Sequence, residues 1–187
     1  MIIERCAGRP FTSVVESEIF RPLRLTNTRY SINPARPPAI GYTRMAAAAV
    51  GPADDAGWYP AWKDPKPGDE FIVGSPMGGG YSTVDDLARF ADALIGNRLL
   101  SRELTNRVLT GFIDADYGGR DGYGFETRLV NGVRMAGHRG SLAGSANHVE
   151  FYPDLGYVLI ALGNTDSYGT ESIADHVRTL ITSSARP

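Results

Sequence analysis

The chain has 187 residues, of which 42% are hydrophobic and 21% charged, with a formal net charge of −2. This is the make-up of an ordinary folded domain, or a large part of one. It excludes the strong basic field of a nucleic-acid binder, and no apolar run is long enough to span a membrane.

Cys6 is the single cysteine, so no intrachain disulfide can form, which fits a reducing compartment. Met1 to Pro10 has no charged, apolar, then small pattern of a secretory signal. A cytoplasmic location is therefore the expectation for the chain as written, with export the alternative for a longer parent protein. The same stretch reads as helix from its first residues, with Ile2, Ile3 and Cys6 on one face, and it has no N-cap. A chain that starts inside a fold is expected.

Gly8 can stop that helix, and Pro10 suits the first turn of a second one. Phe11, Val14, Val15 and Ile19 give the second helix its apolar stripe, and Pro22 ends it. Residues 1–30 thus form a helical opening. Residues 31–80 lack periodicity and are broken by recurrent prolines, with Trp58, Tyr59 and Trp62 clustered among them. Such a stretch is either a lid packed over a core or a wall that touches substrate.

Gly78-Gly79-Gly80 precede a helix whose apolar face is Leu87, Phe90, Leu94 and Ile95. Ser82 and Thr83 are both candidate N-caps, because Asp85 and Asp86 each follow three residues later. A glycine run before a helix can cradle phosphate, but no Gly-Lys-Ser/Thr follows, which argues against nucleotide binding. Ser101 can cap a short helix that ends at Gly111, so residues 81–111 read as helical.

From Tyr123 the period becomes that of strands, over 123–164. Phe125 to Val130 and Val133 to His138 flank Asn131-Gly132, a type I′ hairpin signal. Ser145 to Tyr152 and Tyr157 to Leu162 follow, joined by Pro153-Asp154-Leu155-Gly156. Thr170 opens a last helix over 170–183, with Ile173, Val177, Leu180 and Ile181 on one face. The fold class is α+β: an antiparallel sheet with flanking helices. Tyr157 to Leu162 is apolar on both faces, as central strands are, yet no later strand can pair with it. That edge is expected to be covered by a strand from outside the chain or by a second copy, giving a homo-oligomer.

No Gly-x-Ser-x-Gly and no Ser-x-x-Lys occurs. His138, His148 and His176 match no usual zinc spacing. His148 and Glu150 share a strand face and could hold a metal, but neither metal nor cofactor is expected. His176 reads as solvated. His138 ends a strand and precedes Arg139-Gly140-Ser141, with Gly144 shortly after. It is either a histidine at a hairpin end or part of a place where backbone N–H groups face a ligand.

Several segments together resemble the serine β-lactamase-like hydrolases, which include class C β-lactamases, D,D-peptidases and related family VIII esterases. Ile2-Ile3-Glu4-Arg5 through Phe11 looks like the helix after that family's Tyr-x-Asn motif. Arg21-Pro22-Leu23-Arg24-Leu25-Thr26-Asn27-Thr28 is similar to its Pro-Leu-Gly-Met-x-x-Thr segment, with Arg24 in place of glycine. Gly41-Tyr42, and Gly79-Gly80-Tyr81-Ser82-Thr83 with Asp86-Leu87, look like its Gly-Tyr and its Gly-Gly-x-x-Ser-Thr-x-x-Asp-Leu. Tyr123-Gly124-Phe125, Gly137-His138-Arg139-Gly140 and Tyr152-Pro153-Asp154 are similar to the strands that carry and follow its third motif.

The resemblance implies acyl transfer by the serine of Ser-x-x-Lys, with proton transfer by its lysine and by the tyrosine of Tyr-x-Asn. It implies that the Ser141 N–H is one oxyanion donor and that His138 stands in the place of the third-motif Lys or His. Arg139 departs from the usual Thr or Ser. It would clamp a substrate carboxylate beside Gly140 or point to solvent. The substrate implied for the complete protein is an ester, a β-lactam or a D-amino peptide. Neither Ser-x-x-Lys nor Tyr-x-Asn is present, since both precede this segment in the family. The expectation is therefore an inactive C-terminal portion. Its alternative is a non-catalytic binding or self-assembling module that uses the edge from Tyr157 to Leu162.

Overall fold

Two short turns set the register of the main sheet. Asn131 and Gly132, at φ 52° and 83°, form the turn that joins β5 (Glu126–Val130) to β6 (Val133–Leu142). Ala143-Gly144 then joins β6 to β7 (Ser145–Tyr152), and 153–156 joins β7 to β8 (Tyr157–Gly163). The computed structural model describes residues 2–31, 35, 37–49, 51–61, 74–116 and 118–183. Trp62 of the aromatic cluster lies outside them. Two further short strands, β3 (Ile113–Asp114) and β4 (Arg120–Asp121), complete an antiparallel sheet of order β3-β4-β5-β6-β7-β8. Two-residue strands carry no alternation to detect, so the sequence reading missed them.

The fold is α+β, with helices on both sheet faces. On one face α3 (Val84–Ile95) places Ala91 and Leu94 against Ala136 and Phe151. On the other, α5 (Gly169–Ser183) places Ala174 against Met135, Tyr152 and Leu159. Thr83 is the cap of α3, its hydroxyl accepting from the Asp86 N–H at 3.3 Å. Ser82 instead bonds Thr28 at 2.9 Å. Ser101 caps α4 (Arg102–Val108) in the same way.

The face of α1 (Ile2–Ala7) that carries Ile2, Ile3 and Cys6 is exposed among the described residues. Strand β6 does not end at His138 but runs on to Leu142, because β7 continues to pair with it as far as Ser145. Half of the expected face of α5 packs as read, with Val177 and Ile181 against the cluster of Met135, Tyr152 and Leu159, but Ile173 and Leu180 are 61% and 58% exposed, and the buried positions are Thr170, Ala174, Arg178 and Thr182. The helix turns this way because Arg178 reaches down to Glu150 on β7. Finally, the loop-rich stretch holds a small antiparallel pair, β1 (Tyr42–Thr43) and β2 (Tyr59–Pro60).

After α2 (Phe11–Val15) the chain continues as a wider helical turn, Glu16–Phe20. It closes on Arg24 at φ 55°, with Leu25 N–H donating to Phe20 O at 2.9 Å and Arg24 N–H to Arg21 O at 3.0 Å. That is a Schellman end with arginine at the left-handed position usually held by glycine. A non-glycine residue costs about 1 kcal/mol there. The next segment is held by Asp86, fully buried, which accepts from Asn27 N–H at 2.8 Å and from the Thr28 hydroxyl at 2.9 Å.

Candidate active site

The candidate residues His138, Arg139, Gly140 and Ser141 lie where β6 outruns its neighbour. The last pair between β5 and β6 is Glu126 with Gly137. Just before it the chain peels away, with Gly124 at φ 81° and Gly122 N–H closing onto Phe125 O at 2.9 Å. Residues 138–142 therefore pair with β7 on one side and, among the described residues, with no strand on the other. All five are exposed.

The direction of their amides follows from the two turns. A two-residue loop closes with a bond between its flanking residues, so Val133 faces β5 and Leu142 faces β7. Backbone groups alternate sides along a strand. Both turns then give the same phase: 133, 135, 137, 139 and 141 turn N–H and C=O toward the β5 side. At 139 and 141 that side is open. Sequence patterning left open whether amides here face a ligand, and the resemblance singled out that of Ser141, which the two turns leave on the open side.

Side chains alternate between faces as well. His138 and Gly140 lie on the α3 face with Ala136, and Arg139 and Ser141 on the α5 face with Met135. The His138 ring lies with Nδ1 2.6 Å from Arg139 O. A carbonyl only accepts, so Nδ1 carries the proton in this contact and Nε2 is the outward nitrogen. Among the described residues no hydroxyl bonds to His138, and the Ser141 hydroxyl makes no hydrogen bond. Gly140 has open space where a Cβ would stand.

Arg139 lines a cavity of about 130 Å³ between the sheet and α5, together with His148, Glu150, Glu171 and Arg178. His148, 5% exposed, has Nε2 3.0 Å from a Glu171 oxygen. Glu150 accepts from Arg178 Nε at 3.1 and 3.2 Å and from the Tyr152 hydroxyl at 2.6 Å. Burial, and then the Glu150 carboxylate, push the Tyr152 hydroxyl well above the usual tyrosine range. The bonds to Glu150 hold Arg178 more firmly protonated than usual. His148 and Glu150 do share a face, but each is engaged by a partner. Among the described residues no group of three or more ligating side chains could hold a metal. His176 is exposed, as expected.

Gly137 makes this packing possible. A Cβ there would lie 2.4 Å from Val149 O and 3.3 Å from Glu150 Cγ. The Glu150–Arg178 pair was not legible in the sequence, because 28 residues separate its members and neither lies on a periodic pattern. Asp86 left one trace, its spacing from Thr83, which reveals the cap but not the bonds to 27 and 28.

The small β1–β2 pair stands beside the turn that follows β6. A Cβ on Gly41 would lie 2.5 Å from Gly144 O. Tyr42 N–H donates to Asn164 O at 2.8 Å, and the Thr43 hydroxyl to Asp166 at 2.5 Å. The loop-rich stretch is thus fixed to the far end of β6 and to the end of β8.

The beta-lactamase family model matches residues 1–183. The chain superposes on the octameric penicillin-binding protein homologue from Pyrococcus abyssi with a TM-score of 0.78 at 22% identity, over 97% of this chain and 40% of that one. For D-amino acid amidase from Ochrobactrum anthropi SV3, complexed with D-phenylalanine, the values are 0.79 and 22%, over 100% and 56%. For a penicillin-binding protein from Bacillus halodurans they are 0.74 and 21%, over 96% and 52%. The chain therefore spans about half the length of these solved structures. No curated protein matches it. The fold, and a family match over nearly every residue, carry one conclusion: this chain belongs to the beta-lactamase family.

Proposed function

We propose that the chain supplies one side of a serine hydrolase active site. In this reading the Ser141 amide is an oxyanion donor, and His138 and Gly140 flank the reacting carbonyl. The observation that carries it is the open margin of β6, where the phase of two turns directs the N–H of 141 away from every described strand. Such a fixed amide stabilises the charge that develops on a carbonyl oxygen under attack. Arg139 starts from the opposite face. It acts on a substrate carboxylate only by curling around the margin, and otherwise it lines the cavity under α5.

Acyl transfer also needs a nucleophile and a base. Neither Ser-x-x-Lys nor Tyr-x-Asn occurs in the sequence. Ser82 bonds Thr28, and Ser141 has no base bonded to it among the described residues. By this reading the chain alone is inactive, and a complete protein would hydrolyse an amide, an ester or a β-lactam through an acyl-enzyme. Intact-mass measurement after incubation with a β-lactam and with an activated ester should show no adduct. A stable mass increase on Ser82 or Ser141 would overturn the reading.

A second reading rests on β8. It is the last strand of the sheet, with no outer neighbour among the described residues, and Tyr157 and Leu162 are exposed on it. Pairing of two such edges across a two-fold axis would give a homodimer. Light scattering should then report a species larger than monomer that Ile160→Pro returns to monomer. A wild-type chain that stays monomeric as concentration rises ends this reading and leaves the first intact.

A further inference from the structure

We infer that a cleft in the helical opening binds a small organic carboxylate with an aromatic tail. The cleft has a volume of about 730 Å³ and lies between the wide helical turn Glu16–Phe20 and the segment that returns through Tyr30. That size suits a small metabolite. Its charged lining is Glu16 against Arg21, Arg24 and Arg29, so positive charge predominates. Among the described residues Glu16 pairs with Arg21, at 3.1 Å, and Arg29 is engaged with Asn27 O and the Tyr81 ring, which leaves Arg24 as the cation for a ligand. Its apolar lining is Leu25 with Phe20 and Tyr30, whose ring centroids are 5.7 Å apart and tilted. A third aromatic ring, Phe11, packs 5.8 Å behind Tyr30. Aromatic faces beside guanidinium groups match a ligand with a ring at one end and a carboxylate at the other.

Arg24 is the second observation. It sits at the left-handed position of a Schellman end, where glycine is cheaper. Its side chain makes no hydrogen bond or ion pair among the described residues. Among the described residues the strain therefore brings no polar contact, yet it stands an exposed cation in the lining of a cleft. Strained positions of this kind tend to serve a ligand. Inorganic phosphate would use the charge but not the rings, and a neutral aromatic would use the rings but not the charge.

The test is titration of the chain with phenylacetate, followed by NMR of the Phe20 and Tyr30 ring signals and by calorimetry. Phenylacetamide and inorganic phosphate serve as the comparison probes. Phenylacetate should shift both rings in a saturable way and bind about tenfold more tightly than phenylacetamide. Arg24→Gly keeps the backbone conformation and relieves its strain, so the melting temperature should hold or rise while phenylacetate affinity falls about fivefold. Three results would each overturn the inference: no saturable ring shift, equal binding of acid and amide, or unchanged affinity in Arg24→Gly. Phosphate that binds as tightly as phenylacetate would reduce the cleft to a simple anion site and overturn the ligand class. None of these outcomes bears on the role of β6.

Discussion

Single residues carry the sharpest predictions. Gly137 has no room for a Cβ, because backbone lies 2.4 Å from where it would stand. Gly137→Ala should lower stability by about 1–3 kcal/mol in urea unfolding, since β7 must shift to admit the methyl. Arg178, with its side chain 10% exposed, neutralises Glu150, which is 6% exposed. Arg178→Met leaves that carboxylate buried and alone, and should cost about 3–5 kcal/mol. Adding Glu150→Gln should recover much of the loss, and a double variant no better than the single would show that the pair is not coupled. Tyr152 gives the pH dependence. Its folded-state pKa lies above the unfolded value of about 10, so its contribution is fully present below that pH and is lost as pH rises further. Chemical denaturation across the alkaline range should show the decline, and Tyr152→Phe should flatten it.

At the scale of elements, the two turns that phase β6 predict an exchange pattern. The amides of Arg139 and Ser141 face the open margin, while those of His138, Gly140 and Leu142 face β7. Hydrogen exchange should be fast at the first two and slow at His138 and Gly140. Uniform protection along 138–141 would mean that another segment covers the margin. The sequence revealed the hairpin well, because Asn131-Gly132 has few uses other than a type I′ turn. It also revealed Thr83 and Ser101, since caps are local chemistry. It misjudged α5 because apolar periodicity counts Ile173 and Leu180 as buried. Val177 and Ile181 do pack, and the ion pair from Arg178 to a distant strand accompanies a buried stripe centred beside them. It stopped β6 at His138 because the strand beyond is exposed on both faces and shows no alternation. So the residue type at the candidate site was legible, while the open margin that gives it meaning depends on where a neighbouring strand ends.

For the whole molecule, each sheet face carries its own apolar cluster, one under α3 and one under α5, and the α5 face adds a buried charge network. The close approach of Gly41 and Gly144 ties the β1–β2 pair to the sheet. Gly144→Ala, at φ 78° and within 2.8 Å of Ala61, should loosen that tie and make the 41–61 stretch more sensitive to limited proteolysis, while hydrogen exchange in β7 stays unchanged. The overhang of β6 has a separate consequence for how such a protein can change over generations. Positions 138–142 are solvent-facing on a strand whose pairing relies on main-chain bonds, so new side chains there should leave folding almost untouched. If the proposed role of β6 holds, a mutational scan should find these five positions permissive for expression and restrictive for turnover in a protein that contains this chain.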